Sequence, residues 1–188
     1  IDLPDKYFLN LFSINDNISY IFGAYGVIYK TSNAWSNWTD ISVADSLVLR
    51  SAYFFTENTG LLVGNDGVII KTTDGGNNWT LISASLPQDL WVSRIQASNS
   101  DEGTVYVSLN GYRNDNFKPY VYKSEDYGAN WTDISLGLPQ EPVNVVKEDP
   151  MDSDILYIGT DHGAYVSLDK GKSYMSIASD MPKTPVHD

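Results

Sequence analysis

Thr72-Thr73-Asp74-Gly75-Gly76-Asn77-Asn78-Trp79 decides how this chain folds, because it recurs. Ser124-Glu125-Asp126-Tyr127-Gly128-Ala129-Asn130-Trp131 and Ser167-Leu168-Asp169-Lys170-Gly171-Lys172-Ser173-Tyr174 keep its pattern: a hydroxyl residue, then Asp, Gly and an aromatic at fixed offsets. Thr31-Ser32-Asn33-Ala34-Trp35-Ser36-Asn37-Trp38 is a worn fourth copy. Self-similarity at an interval of a few tens of residues marks a repeat architecture.

Each fixed position has a folding job. Ser, Thr and Asp side chains bond nearby backbone N–H groups and stabilise a turn. The Gly suits a left-handed backbone position that other residues reach only with strain. The aromatic opens the next strand and offers a large apolar face. Thr72, Asp74, Gly76 and Trp79 are therefore expected to be structural. So are Ser124, Asp126, Gly128 and Trp131, and Ser167, Asp169, Gly171 and Tyr174. The rival reading makes Asp74, Asp126 and Asp169 metal ligands or acids, but turn chemistry accounts for them without a ligand.

Around each octet lie short runs rich in β-branched and aromatic residues, bounded by Gly, Asn, Asp and Pro, which read as strands. Leu61-Leu62-Val63 and Val68-Ile69-Ile70-Lys71 precede the second octet, and Trp79-Thr80-Leu81-Ile82 follows it. One further run opens each set, at 8–14, 49–55, 92–97 and 143–147. No window shows helical periodicity. Four strands per repeat predict an all-β chain, a β-propeller or an arc of one. About four four-stranded antiparallel blades are expected, with an octet closing the third and fourth strands of each. The repeats fall at 8–42, 49–83, 92–135 and 143–177, within a single propeller region over 1–188. Pro185-Val186-His187-Asp188 resembles the start of another innermost strand, which favours a portion of a larger propeller.

Composition narrows the partners. With 24 Asp and Glu against 12 Lys and Arg, the formal charge is −12. That disfavours nucleic acid and anionic membrane surfaces. No stretch has the length of a membrane-spanning helix, and Ile1-Asp2-Leu3-Pro4 does not read as a signal peptide. Zero cysteines exclude disulfides and thiolate metal sites. Loop acids could hold calcium, yet no spaced Asp/Asn loop ending in a bidentate Glu appears, and no metal or cofactor is expected.

In a propeller blade the octet occupies one face of the disc, and the turns between second and third strands occupy the other. The second repeat makes that turn with Asn65-Asp66-Gly67, whereas the third inserts residues 110–119. The insertion supplies Tyr112 and Phe117 as stacking surfaces, Arg113 and Lys118 as donors, and Asp115 as an acceptor. Loops on a rigid scaffold are where binding residues concentrate. Trp91, Asp161 and His162 join them as expected binding residues, with Tyr25, Asp66, Asp89 and Glu141 on the same face. Arg50, Arg94 and Arg113 are the only arginines, and no catalytic set stands out beside them.

The octet resembles the Asp-box, or BNR repeat, of sialidases, xyloglucan-cleaving glycosidases, sortilin-type receptors and a photosystem assembly factor. From Leu90 onward, Trp91-Val92-Ser93-Arg94-Ile95, Asp149-Pro150 and Gly159-Thr160-Asp161-His162-Gly163 resemble bacterial secreted propellers described as sortilin-like or as BNR-repeat glycosyl hydrolases. The first half, with Gly64-Asn65-Asp66-Gly67 and Lys71-Thr72-Thr73-Asp74-Gly75-Gly76, is more similar to the photosystem assembly factor type. The resemblance implies a secreted or envelope location in a bacterium. It fits a non-catalytic module presenting its loop face to a protein or glycan, or to the rest of a larger propeller. The alternative is a sialidase-like or xyloglucanase-like glycoside hydrolase using loop carboxylates.

Overall fold

The computed structural model describes residues 7–44, 46–177 and 183–187. It divides into two compact units, one ending at Ala84 and the other beginning at Ser85. Each unit contains two four-stranded antiparallel sheets whose spatial order follows chain order.

In unit 1 the first sheet is β1 (Phe8–Ser13), β2 (Ser19–Gly23), β3 (Ile28–Thr31) and β4 (Thr39–Asp40). The second is β5 (Leu49–Phe54), β6 (Gly60–Gly64), β7 (Ile69–Thr72) and β8 (Thr80–Leu81). In unit 2 the sheets are β9 (Trp91–Ala97), β10 (Val105–Gly111), β11 (Asn116–Ser124) and β12 (Thr132–Asp133), then β13 (Val143–Glu148), β14 (Leu156–Thr160), β15 (Ala164–Ser167) and β16 (Met175–Ser176).

Strands β2 and β6 are buried along their whole length, as their unbroken apolar runs require. In unit 1, Tyr20, Phe22 and Ile28 pack on Leu49, Ala52, Phe54 and Leu62 of the neighbouring sheet. The Tyr20 and Phe54 rings stack at 4.3 Å and 19°. In unit 2, Tyr106, Val121 and Ile134 meet Val143, Val146, Leu156 and Ile158 in the same way. Burying each such side chain contributes about 1.5–3 kcal/mol, so sheet-on-sheet contact is what holds each unit together.

The outermost strands are only two residues long and exposed, which leaves little edge to recruit another chain. A serine just beyond three of them takes over the ladder. Ile28 N–H donates to Ser42 Oγ at 3.1 Å, Ile69 N–H to Ser83 Oγ at 3.3 Å and Val121 N–H to Ser135 Oγ at 2.8 Å.

Every octet closes its own hairpin. In the second, Gly76 N–H donates to Thr72 Oγ1 at 2.8 Å, and Asn78 N–H to Asp74 Oδ1 at 2.8 Å. The third repeats this with Gly128 on Ser124 Oγ and Asn130 on Asp126, and the fourth with Gly171 on Ser167 Oγ and Ser173 on Asp169. Gly76, Gly128 and Gly171 have φ of 91°, 83° and 87°, the left-handed region in which a Cβ is strained. A Cβ on Gly76 would also stand 2.8 Å from Ile41 Cδ1 on the adjacent sheet. In the worn copy Asn33 Oδ1 still accepts from Asn37 N–H at 2.9 Å, and Trp35 takes the glycine position at φ 68°.

At the opposite end of each sheet the innermost strand carries a β-bulge. The residue left out of register is Leu9, Arg50, Ser93 or Asn144. A bulge bends its strand and re-aims a side chain.

Two expectations change in detail. Residues 110–119 are mostly not loop: β10 continues to Gly111, which pairs with Asn116, leaving a 3-10 turn at Tyr112–Asn114 capped by Asp115. Pro119, which has no N–H to give, lies within the register shift of that ladder. Residues 185–187 form no strand, although Val186 N–H donates to Thr160 O at 2.9 Å. Asp188 and Ile1-Asp2-Leu3-Pro4 lie outside the described residues.

Candidate functional site

The bulged end of unit 2 opens into a cleft of ≈ 660 Å³. One wall begins with Trp91, the first residue of β9, whose ring lies 5.0 Å from the Arg113 guanidinium carbon. A guanidinium over an indole face is attracted by the ring quadrupole. The 3-10 turn holds Arg113 there. Asp115 sits at φ 53° and gives its N–H to Tyr112 O, while Tyr112 N–H donates to Asn110 Oδ1 at 2.9 Å. The Asn114 side-chain amide bonds Asp89 O, and Tyr112 meets Phe117 edge-on at 5.8 Å. The turn is thus pinned on both sides.

The floor is a ladder of side-chain amides. Asn110, near the end of β10, donates to Asn144 Oδ1 at 2.9 Å, and Asn144 donates to Asp161 Oδ1 at 2.9 Å. Asn144 is the bulged residue of β13, so the bulge positions the middle rung. Beyond it, Thr160 Oγ1 donates to Glu141 Oε2 at 2.7 Å, and His162 Nδ1 lies 3.7 Å from that same oxygen. Burial, and then the Glu141 charge, raise the Tyr165 hydroxyl above its ordinary value. Lys183, Pro185 and His187 complete the lining.

Of the expected binding residues, Trp91, Tyr112, Arg113, Asp161 and His162 come together in this cleft. Phe117 backs Tyr112 and Asp115 caps the turn. Lys118 borders a separate depression with Tyr120 and Asp133. Asn144, Lys183 and His187 were not anticipated. Asn144 had a signal: an amide between valines in an innermost strand is out of place unless its side chain has work there.

The octet acids take no part in the cleft. Hydrogen bonds from the Asn130 side chain first, then its backbone, hold Asp126 down at about 2. Asp169 is held at about 2 by the side chains of Ser173 and Ser167, and Asp74 is lowered by Asn78. Among the described residues no group of His, Cys, Asp and Glu is placed to hold a metal ion. None of their helices is long and apolar enough to cross a membrane.

A model of the family described as photosynthesis system II assembly factor YCF48 matches residues 36–182. The chain belongs to that family. No curated protein matches it. Among solved structures, an ancestral GH74 enzyme is similar at a TM-score of 0.72 and 16% identity, over 93% of this chain and 24% of that one. YCF48 bound to D1 peptide is similar at 0.59 and 14%, over 97% of this chain and 86% of that one. YCF48 from Cyanidioschyzon merolae gives 0.60 and 17%, over 93% and 57%. The chain thus spans about a quarter of the length of the GH74 enzyme. At these identities the likeness carries the fold, which is that of β-propellers.

The family corrects one expectation. A secreted or envelope location was inferred from the likeness to secreted bacterial propellers. The match to a photosystem II assembly factor family instead runs through both halves of the chain and overturns that location.

Proposed function

We propose that this chain is a non-catalytic protein-binding propeller module that takes an extended segment of a partner protein in the cleft of unit 2. The observation that carries this reading is the Asn110–Asn144–Asp161 ladder beside the Arg113-covered Trp91. Side-chain amides present donors and acceptors suited to a peptide main chain, and an aromatic flanked by Arg is a common interface anchor. The family, and a D1 peptide bound to a structure of the same fold, support a protein partner over a sugar. Further blades of a larger propeller belong to the same reading, as neighbours that extend the face.

Hydrolysis of a glycan needs two carboxyl groups flanking the bond. Here Asp161 accepts from Asn144 and Glu141 accepts from Thr160, which suits recognition better than acid catalysis.

Fluorescence anisotropy with labelled D1 peptide tests the proposal. Binding should weaken by roughly 5- to 30-fold in Asn144→Ala, the equivalent of about 1–2 kcal/mol. Asp74→Asn should leave it unchanged. Xyloglucan cleavage lost in Asp161→Asn would overturn the reading in favour of a glycoside hydrolase.

A further inference from the structure

The chain has two histidines in all, and both of them, His162 and His187, line this one cleft. They reach it from different places: His162 from the turn after β14, His187 from the segment whose Val186 is bonded to Thr160. Around them the fixed charges are few. Arg113 and Lys183 bring positive charge to the lining and Asp161 brings negative charge. Glu141 stands behind His162 at 3.7 Å, and Lys147 and Tyr157 adjoin the far side of His187 across a smaller hollow. In a molecule with a formal charge of −12, the fixed charges at this cleft therefore balance, and the two imidazoles decide its sign.

Imidazole is the side chain whose charge changes between about pH 5 and 8. Protonating both rings adds two positive charges to a space that already holds Arg113 and Lys183. Their mutual repulsion is relieved when negative charge enters, so an anionic occupant and the two protons favour one another by linkage. An uncharged occupant has no such coupling.

Resting on the reading of the cleft as a peptide site, we infer that it is a pH-gated seat for a carboxylate-rich segment of a partner, with His162 and His187 together as the gate. Glu141 stands 3.7 Å from the His162 ring, and His187 lines the same cleft as Lys183. Neither histidine belongs to the amide ladder, so gating and recognition are separable.

Anisotropy on the full chain with a glutamate-rich decapeptide and its glutamine counterpart, at pH 5.5 and 8.0, tests the inference. The glutamate peptide should bind roughly 5- to 10-fold tighter at the lower pH, and the glutamine peptide equally at both. His162→Gln with His187→Gln should abolish the pH difference. His162→Lys with His187→Lys should bind tightly at both values, which a merely structural role for the rings would not produce. Persistence of the difference in the double glutamine variant, or the same difference with the glutamine peptide, overturns the gate. A glutamate peptide that fails to bind while D1 peptide binds also overturns the gate and leaves the peptide reading standing. Failure of every peptide overturns both.

Discussion

Asn144 donates to Asp161 Oδ1 at 2.9 Å while accepting from Asn110 at 2.9 Å, so one residue joins both sheets of unit 2. It can do so because β13 bulges at that position and turns the side chain along the cleft floor. Asn144→Asp would set a second carboxylate against Asp161. Like charges at hydrogen-bond distance repel, so peptide affinity should fall at least about tenfold at pH 7 while circular dichroism remains that of the native chain. Unchanged affinity would show that the ladder is only scaffold.

Arg113 and Trp91 offer a second test. Lysine keeps the charge but not the flat guanidinium that lies over the indole. Arg113→Lys should uncover the Trp91 ring and red-shift its emission, with stability changed by less than about 0.5 kcal/mol. Peptide affinity should drop roughly three- to tenfold.

The octets predict a pH dependence of stability. Folding lowers Asp126 and Asp169 from 3.8 to about 2. Their contribution is therefore fully present above the unfolded value and is lost as pH falls from about 4 to about 2. Asp126→Asn faces the Asn130 amide with another donor and should lower the urea midpoint at pH 7. Near pH 2 wild type and variant should converge. A gap of constant size across that range would contradict the assignment.

Ser135 replaces a missing strand partner for the buried Val121 N–H at 2.8 Å. Ser135→Ala leaves that donor unsatisfied, which costs about 1–3 kcal/mol. Chemical denaturation should show the loss, and Ser135→Thr should recover part of it.

Local features were readable before any coordinates. The octet is self-contained: Thr72, Asp74, Gly76 and Asn78 satisfy one another within a single turn, so their spacing reveals the hairpin. The apolar run Leu61-Leu62-Val63 likewise announces a strand buried on both faces. The cleft was legible only in part, because pairing between distant strands assembles it. Asn110 and Asn144 are 34 positions apart, and nothing in either neighbourhood announces the other. Residues 116–119 carry no β-branched side chain and so read as loop, yet pairing of Asn116 with Gly111 makes them strand. Ser42, Ser83 and Ser135 recur after isoleucines, but a lone serine beyond a short strand is too common a feature to stand out.

Amide chemical-shift mapping with unlabelled D1 peptide tests most directly whether the bulged end of unit 2, and not the octet turns, meets the partner. The perturbed amides should cluster at 91, 110–116, 141–145, 160–163 and 183–187, with 72–79, 124–131 and 167–174 unmoved. Perturbations centred on Asp126 and Asp169, with Asn144 and Asp161 silent, would contradict the account.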